Sequence, residues 1–184
     1  MKRKILVVVT LVGLAVMSAV AGEKDPMVGG QQMYPTKNII ENAVNSADHT
    51  TLVAAVKAAG LVDTLEGAGP FTVFAPTNEA FNKLPAGTVD TLLKPENKAT
   101  LTKVLTYHVV AGRLSSHELM KKIKEGIGTA ELTTVEGGKL WVMLHDGKHI
   151  ELKDEKGGTA MITIANVFQS NGVIHVIDSV VMPN

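Results

Sequence analysis

The chain has 184 residues, a length typical of one domain with its own core, and equal numbers of basic and acidic side chains, 18 of each. This balance argues against nucleic acid as a partner, because binding to phosphate backbones requires a basic stripe. The sequence contains no cysteine, which excludes disulfides, thiolate catalysis and thiolate metal sites, so packing alone has to stabilise the fold.

The N-terminus has the pattern of an export signal. Basic residues at positions 2–4 precede an almost wholly apolar run over 5–20, which ends in small residues of the kind that signal peptidase reads. The run is shorter than the roughly 20 apolar residues that span a membrane, and polar residues follow it. Residues 1–21 are therefore predicted to be a cleaved signal peptide. Cleavage removes the three basic residues, so the mature protein is expected to be slightly acidic. No second long apolar run follows. The mature protein is therefore expected to have no membrane span and to lie in the periplasm or the medium.

The segment that follows has no sustained hydrophobic period and is rich in glycine and proline. Residues 22–35 are therefore predicted to form a flexible lead-in arm. Its Met27 and Met33 could ligate a soft copper ion, but no histidine or cysteine adjoins them, and docking of the arm onto the domain is the favoured interpretation. Residues 36–184 are predicted to form a single domain.

The first part of that domain has helical periodicity. Thr36 is a candidate N-cap of one helix, and Thr51 of a second helix that ends at Gly60. A short apolar strand is predicted over 71–75, and Thr77 is placed to cap the helix that follows it.

A longer helix is predicted over 97–107, and its apolar face continues at His108. Ser115 or Ser116 can cap a last helix that runs to Ile123. Beyond it the pattern changes to strands separated by turn sequences, at 136–138, 145–148, 156–158 and 170–172. Helices early in the chain and antiparallel hairpins late predict an α+β fold.

Three segments carry a family resemblance. Residues 69–81, Gly-Pro-Phe-Thr-Val-Phe-Ala-Pro-Thr-Asn-Glu-Ala-Phe, resemble the first signature box of fasciclin domains, and residues 171–183 resemble the second. Between them, residues 107–112 are similar to the family's Tyr-His segment. The resemblance implies a wedge of twisted β-sheets with helices packed against it, in secreted or surface proteins that mediate cell adhesion or matrix interaction.

The resemblance also implies four candidate binding residues. In periostin-like matrix proteins an Asp-Ile pair before the second box is linked to integrin binding, and the aligned positions here are Asn166 and Val167, which lack the carboxylate. Tyr107 and His108 match the other adhesion-linked segment. A tyrosine and a histidine at the end of an amphipathic helix are more often a buried hydrogen-bonded pair than a contact surface.

Catalytic and metal sites have weak support in the sequence. His175 and Asp178 are three residues apart on a predicted strand, so their side chains are expected on opposite faces. The sequence has no Gly-x-Ser-x-Gly elbow and no dinucleotide-binding loop after a strand. His145 and His149 flank a tight turn and could approach each other across a hairpin, but no third ligand is specified. No cofactor, metal or catalytic residue is therefore expected.

The favoured function is that of a monomeric binding module for a cell-surface or matrix protein or polysaccharide, without catalysis. Exposed loops at 94–98, 136–139 and 145–148 are the expected sites of specificity, because connecting segments tolerate variation. Two alternatives stay open. One is a carrier of an apolar ligand such as a carotenoid, which the family resemblance suggests and the eight methionines fit. The other, less favoured, is a hydrolase of unknown substrate.

Overall fold

The computed structural model describes residues 25–184. The predicted signal peptide, residues 1–21, lies outside the described residues. No helix within residues 25–184 is long and apolar enough to cross a membrane.

This part of the chain forms seven α-helices, nine strands and two 3₁₀ turns, Ala47–His49 and Pro95–Asn97. The helices are α1 (Ile39–Ala43), α2 (Thr50–Ala59), α3 (Val62–Glu66), α4 (Asn78–Asn82), α5 (Thr88–Leu92), α6 (Lys98–Tyr107) and α7 (Ser116–Glu125). The strands are β1 (Met27–Val28), β2 (Gln31–Gln32), β3 (Phe71–Pro76), β4 (Val109–Ala111), β5 (Thr129–Thr133), β6 (Lys139–His145), β7 (His149–Lys153), β8 (Thr159–Gln169) and β9 (Gly172–Ile177).

Seven strands form one sheet in the order β4-β3-β9-β8-β7-β6-β5. From β5 to β9 each strand pairs antiparallel with the next, as the turn sequences predict. A bridge between Val110 and Thr134 brings the two ends of the sheet together, so the sheet is nearly closed. Helices packed on a largely antiparallel sheet confirm the predicted α+β class.

The parallel pair β3–β9 is the part of the topology that turn sequences do not indicate. Phe71 lies opposite Gly172, and Pro76 lies opposite Ile177. A Cβ at position 172 would collide with the carbonyl oxygen of Phe71, so the residue at this close approach has to be glycine. The two segments that carry the family resemblance are therefore adjacent strands in the middle of one sheet.

These two strands separate two hydrophobic clusters. Val73 and Ala75 of β3 face the cluster under the helices, which also holds residues of α1, α2 and α6, whereas Phe74 faces the cluster between α7 and strands β5–β8. Every residue of β9 is buried. A strand covered on both faces reads as a continuous apolar run instead of an alternating one, and residues 173–177 fit this pattern except at His175.

Local chemistry fixes most helix starts. Thr77 caps α4 by accepting from the amide of Ala80 at 3.2 Å, and Ser115 caps α7, both as predicted. The first helix differs, because Asn38 and not Thr36 is its N-cap: the Asn38 side chain accepts from the amide of Glu41 at 2.8 Å, and the Glu41 carboxylate accepts from the amide of Asn38. This reciprocal capping box satisfies two amides that a Thr36 cap would leave free.

The described part of the predicted arm packs on the domain. Strands β1 and β2 form a small hairpin, after which Met33 is buried, and Val28 and Met33 both join the core under the helices. Met27 is 58% exposed, so only one of the two methionines docks. The side chain of Asn42 on α1 fastens the segment further by accepting from the amide of Tyr34 and donating to its carbonyl.

Candidate functional site

Tyr107 is the last residue of α6, and its side chain is completely buried. Its hydroxyl donates to the carbonyl of Lys139 and accepts from the amide of Glu155 at 3.2 Å. Burial raises the pKa of Tyr107 to about 12, with the nearby carboxylates acting in the same direction. The phenol therefore stays protonated and ties α6 to two turns of the sheet.

His108 follows Tyr107 and is 2% exposed. Its Nδ1 lies 2.8 Å from the carbonyl of Val104, and its Nε2 accepts from the amide of Val181 at 3.3 Å. A backbone amide can only donate, so the proton of the neutral ring is on Nδ1. Burial lowers the pKa of His108 to about 4, which keeps the ring neutral at neutral pH. Both side chains thus form the buried, hydrogen-bonded pair that the sequence favours.

Asn166 occupies an irregular stretch of β8, where its φ of +61° is left-handed. Asparagine tolerates this conformation better than most residues. Its Oδ1 accepts from the amide of Ser116 and its Nδ2 donates to the Ser116 hydroxyl, each at 2.7 Å, so the side chain holds the first turn of α7. The next residue, Val167, is 1% exposed in the core under the helices.

The four residues suggested by the family resemblance do not form one surface. Three of them are buried: Tyr107, His108 and Val167. Asn166 is partly buried, and both polar atoms of its side chain form hydrogen bonds to α7. In this conformation a partner could reach them only indirectly. That a partner depends on them stays a prediction.

The two groups that suggest a catalytic pair lie in separate environments. His175 is fully buried, stacks on Phe74 with ring centroids 5.8 Å apart, and approaches the carbonyl of Leu114 with Nε2 at 2.8 Å. Asp178 instead accepts from the amide of Met161 at 2.8 Å and pairs with the Lys83 ammonium. In this structure the two side chains have different partners and do not contact each other.

The hairpin between β6 and β7 does bring His145 and His149 opposite each other, as predicted. Each ring has its own acidic neighbour: Nδ1 of His149 lies 2.9 Å from Asp146, and Nδ1 of His145 lies 3.5 Å from Glu151. Across residues 25–184, no three metal-ligating side chains converge on a common point.

A surface that sequence reasoning missed lies on the solvent side of strands β5–β8. In β6, Leu140 and Val142 are fully buried, whereas Trp141 and Met143 alternate with them on the other side and are partly exposed. We call this side the outer face; its residues, in register across the four strands, are Thr129, Glu131, Thr133, Lys139, Trp141, Met143, Glu151, Lys153, Thr159 and Met161.

Trp141 is the only tryptophan of the chain and lies near the middle of the outer face. Glu131 and Lys153 are its cross-strand neighbours, one on each side. The Lys139 ammonium pairs with Glu131 at 2.7 Å on the same face. The predicted loops 136–139 and 145–148 lie at the two ends of β6, so they border the outer face. The alternation Leu-Trp-Val-Met in β6 is the sequence pattern that could have indicated the outer face.

Comparison with known protein families assigns most of the chain to one family. The model of the fasciclin domain matches residues 47–183. Protein sll1483 of Synechocystis is 45% identical over 161 residues, which cover 88% of this chain and 82% of that protein. The immunogenic protein MPB70 of Mycobacterium bovis is 38% identical, with 77% of this chain and 66% of that protein covered.

Two further comparisons involve longer proteins. The cell surface glycolipoprotein MPB83 of Mycobacterium bovis is 41% identical over 67% of this chain, and the match spans 48% of that protein. Among solved structures, a FAS1 domain pair from the insect cell adhesion molecule fasciclin I superposes with a TM-score of 0.68, at 18% identity, over 78% of this chain and 50% of that chain. The structural match confirms the predicted wedge of sheet and helices.

Proposed function

The chain belongs to the fasciclin domain family, and on that basis we propose that it is a secreted or cell-surface binding module. Its outer face, centred on Trp141, contacts a protein or polysaccharide of the cell surface or matrix, and no chemical step follows. Names of its relatives support this placement, since one is a cell surface glycolipoprotein and another structure comes from a cell adhesion molecule.

The observation that carries the proposal is the position of Trp141. An indole held at the solvent side of a sheet offers a large, rigid apolar surface at little entropic cost, and tryptophan is enriched among the residues that dominate binding energies. Charged neighbours on both sides supply the polar rim that surrounds such anchors. Met143 and Met161 add apolar surface, because both face outward. Each lies directly opposite Glu151, one on either side of β7.

The outer face also explains how specificity could vary while the fold is kept. Its side chains contribute little to the core, because the inner side chains of the same strands, such as Leu140, Val142 and Leu152, are completely buried. Substitutions on the outer face can therefore change the partner without disturbing the packing.

The test compares Trp141→Thr with Phe168→Thr in the protein without residues 1–21. Phe168 is a matched control, since it is a 38% exposed aromatic residue beyond the irregular stretch of β8. We expect Trp141→Thr to weaken attachment to the producer's envelope or matrix fractions at least about tenfold, the effect of losing a single binding hot spot. Phe168→Thr should leave attachment unchanged, and both variants should melt cooperatively.

The single tryptophan provides a second measurement, because its fluorescence reports on the outer face alone. Titration with a fraction that binds should shift the emission of the unmodified protein. Attachment that survives Trp141→Thr at full strength, or turnover of a substrate by the unmodified domain, would refute the proposal.

A further inference from the structure

A cavity of about 70 Å³ lies within the helical half of the molecule, between α2, β3 and the β1–β2 hairpin. Its walls are mostly apolar and include Val28, Met33, Ile40, Val53, Leu65 and Val73. One water molecule needs about 10–15 Å³ measured in this way, so the cavity has room for a ligand group of several heavy atoms.

His49 lines this cavity and is 4% exposed. Its Nδ1 bonds to the Ser46 hydroxyl at 2.8 Å, whereas its Nε2 makes no hydrogen bond of ordinary geometry within residues 25–184. The backbone carbonyl of Ala75 is close enough to the ring to favour its protonated form, but burial outweighs this effect. Among the buried side-chain nitrogens and oxygens of this part of the chain it is the only unpaired one. Buried polar groups are nearly always paired, so an unpaired nitrogen beside a cavity is a candidate contact for a bound molecule.

Two other polar side chains of the wall are already engaged, and a third, Thr64, is exposed. Both ring nitrogens of His108 are bonded, and the Thr106 hydroxyl donates within its own helix. Lys57 is the only charged residue that lines the cavity in the described part of the chain, and it is exposed at the far end of α2. His49, Val53 and Lys57 all line the cavity and are spaced four residues apart, so they lie on one face of α2. The cavity therefore follows this face for about 12 Å.

These features define the ligand chemically. Apolar walls favour a hydrocarbon body, and a carboxylate beside His49 would lose its hydration without a cation to replace it. Burial lowers the pKa of His49, so the ring is neutral and offers one nitrogen as donor or acceptor to a neutral oxygen. The small volume suits a short molecule and not a long polyene.

We propose that the cavity binds a small neutral apolar molecule with one hydroxyl or carbonyl oxygen, which bonds to Nε2 of His49 while the carbon chain follows α2 towards Lys57. The site is built from other elements than the outer face, so it is a function beyond surface attachment. The proposal for the cavity and the proposal for the outer face can therefore be refuted independently.

The test uses hexan-1-ol as the probe and hexane as the probe that lacks the oxygen. The full mature protein, isotopically labelled, is titrated with each and followed by the ring-nitrogen signals of His49 and by the amide signals of α2. We expect saturable binding of hexan-1-ol with a shift at Nε2. The double variant S46A/H49L removes the orphan and its partner together, and it should bind hexan-1-ol about five- to tenfold more weakly, the worth of one net hydrogen bond, while hexane binds as before.

A second pair of variants keeps the test valid if S46A/H49L does not fold. Val53→Phe fills the cavity and should abolish binding of both probes, whereas Val44→Phe, at an exposed position outside the cavity, should not affect it. The proposal is overturned if the unmodified protein shows no saturable binding of hexan-1-ol. It is equally overturned if S46A/H49L binds hexan-1-ol with unchanged affinity, or if a water molecule at Nε2 stays in place at saturating hexan-1-ol.

Discussion

His108 connects three parts of the chain through one imidazole ring. It ends α6, bonds back to Val104 in the preceding turn, and receives the amide of Val181 from the C-terminal tail. The neighbouring Tyr107 reaches in another direction, to the turns before β6 and after β7. Two consecutive residues of a family motif thus hold α6 against both the sheet and the tail, which is a structural reason for the Tyr-His sequence.

Substitution of His108 by alanine should therefore destabilise the domain. The change leaves the amide of Val181 without its acceptor in a buried position and opens a cavity, so we expect the free energy of unfolding to fall by about 1–3 kcal/mol. Urea unfolding measures it, with His117→Ala, an exposed histidine on α7, as the control that should change little. A His108→Ala protein of unchanged stability that no longer attaches to its partner would identify His108 as a contact residue instead.

Among single residues, the sequence predicts burial better than it predicts partners. The apolar face of α6 places His108 in the interior, but the amide that donates to its second nitrogen comes from a tail distant in sequence. The left-handed backbone of Asn166 is likewise invisible, because its hydrogen bonds to Ser116 form only once α7 packs on β8.

At the scale of elements, α2 shows how one helix is capped by another. Its N-cap residue is His49, whose side chain makes no capping bond. Asn78, at the start of α4, accepts from the amide of Thr51 at 3.0 Å and donates to the carbonyl of Ala47 at 2.9 Å. A scan for a local cap proposes Thr51, and the structure differs because the cap comes from a residue that only the fold brings near.

This contact predicts that Asn78→Ala destabilises α2 although the substitution lies on α4. Loss of a capping side chain costs about 1–2 kcal/mol, and the effect should appear as a lower Tm together with faster amide exchange at the start of α2. Asn82→Ala, at the exposed end of the same short helix, is the control. Equal Tm values for the two variants would show that the Asn78 contact contributes nothing.

Hairpins were the most predictable elements, since each of their turns carries glycine, which Asp or Asn precedes in two of the four. The 145–148 turn contains Asp146 with φ +50° and Gly147 with φ +76°, the backbone that an Asp-Gly turn requires. The pairing of β3 with β9 was not predictable in this way, because nothing local specifies which distant strand lies alongside. The outer face was missed because alternation shows that two sides exist, whereas only the packing of α7 shows which one is covered.

For the whole molecule, three buried histidines make stability depend on pH. Burial lowers the pKa of His49, His108 and His175, in the case of His108 to about 4 from an ordinary value of 6.5. Below pH 6.5 the unfolded chain therefore binds protons that the folded protein does not, and stability falls as the pH is lowered towards 4.

The lowered pKa of His108 alone reduces the free energy of unfolding by about 3 kcal/mol when the pH falls from 7 to 4. Urea unfolding at several pH values between 7 and 4 should show the decrease, and His108→Ala should show a smaller one. Stability that stays constant over this range would contradict the burial of neutral rings.

The central position of β9 has a consequence for how the chain is made. It is the last strand in the described sequence, yet it lies between β3 and β8 and is needed by both. A nascent chain that has not reached residue 177 can form the β5–β8 hairpins and some helices, but β3 then pairs only with β4, and nothing joins that pair to β8. Folding therefore finishes only after nearly the whole chain has emerged. If residues 1–21 direct export in extended form, as the sequence predicts, that delay keeps the chain in a state that the export channel can accept.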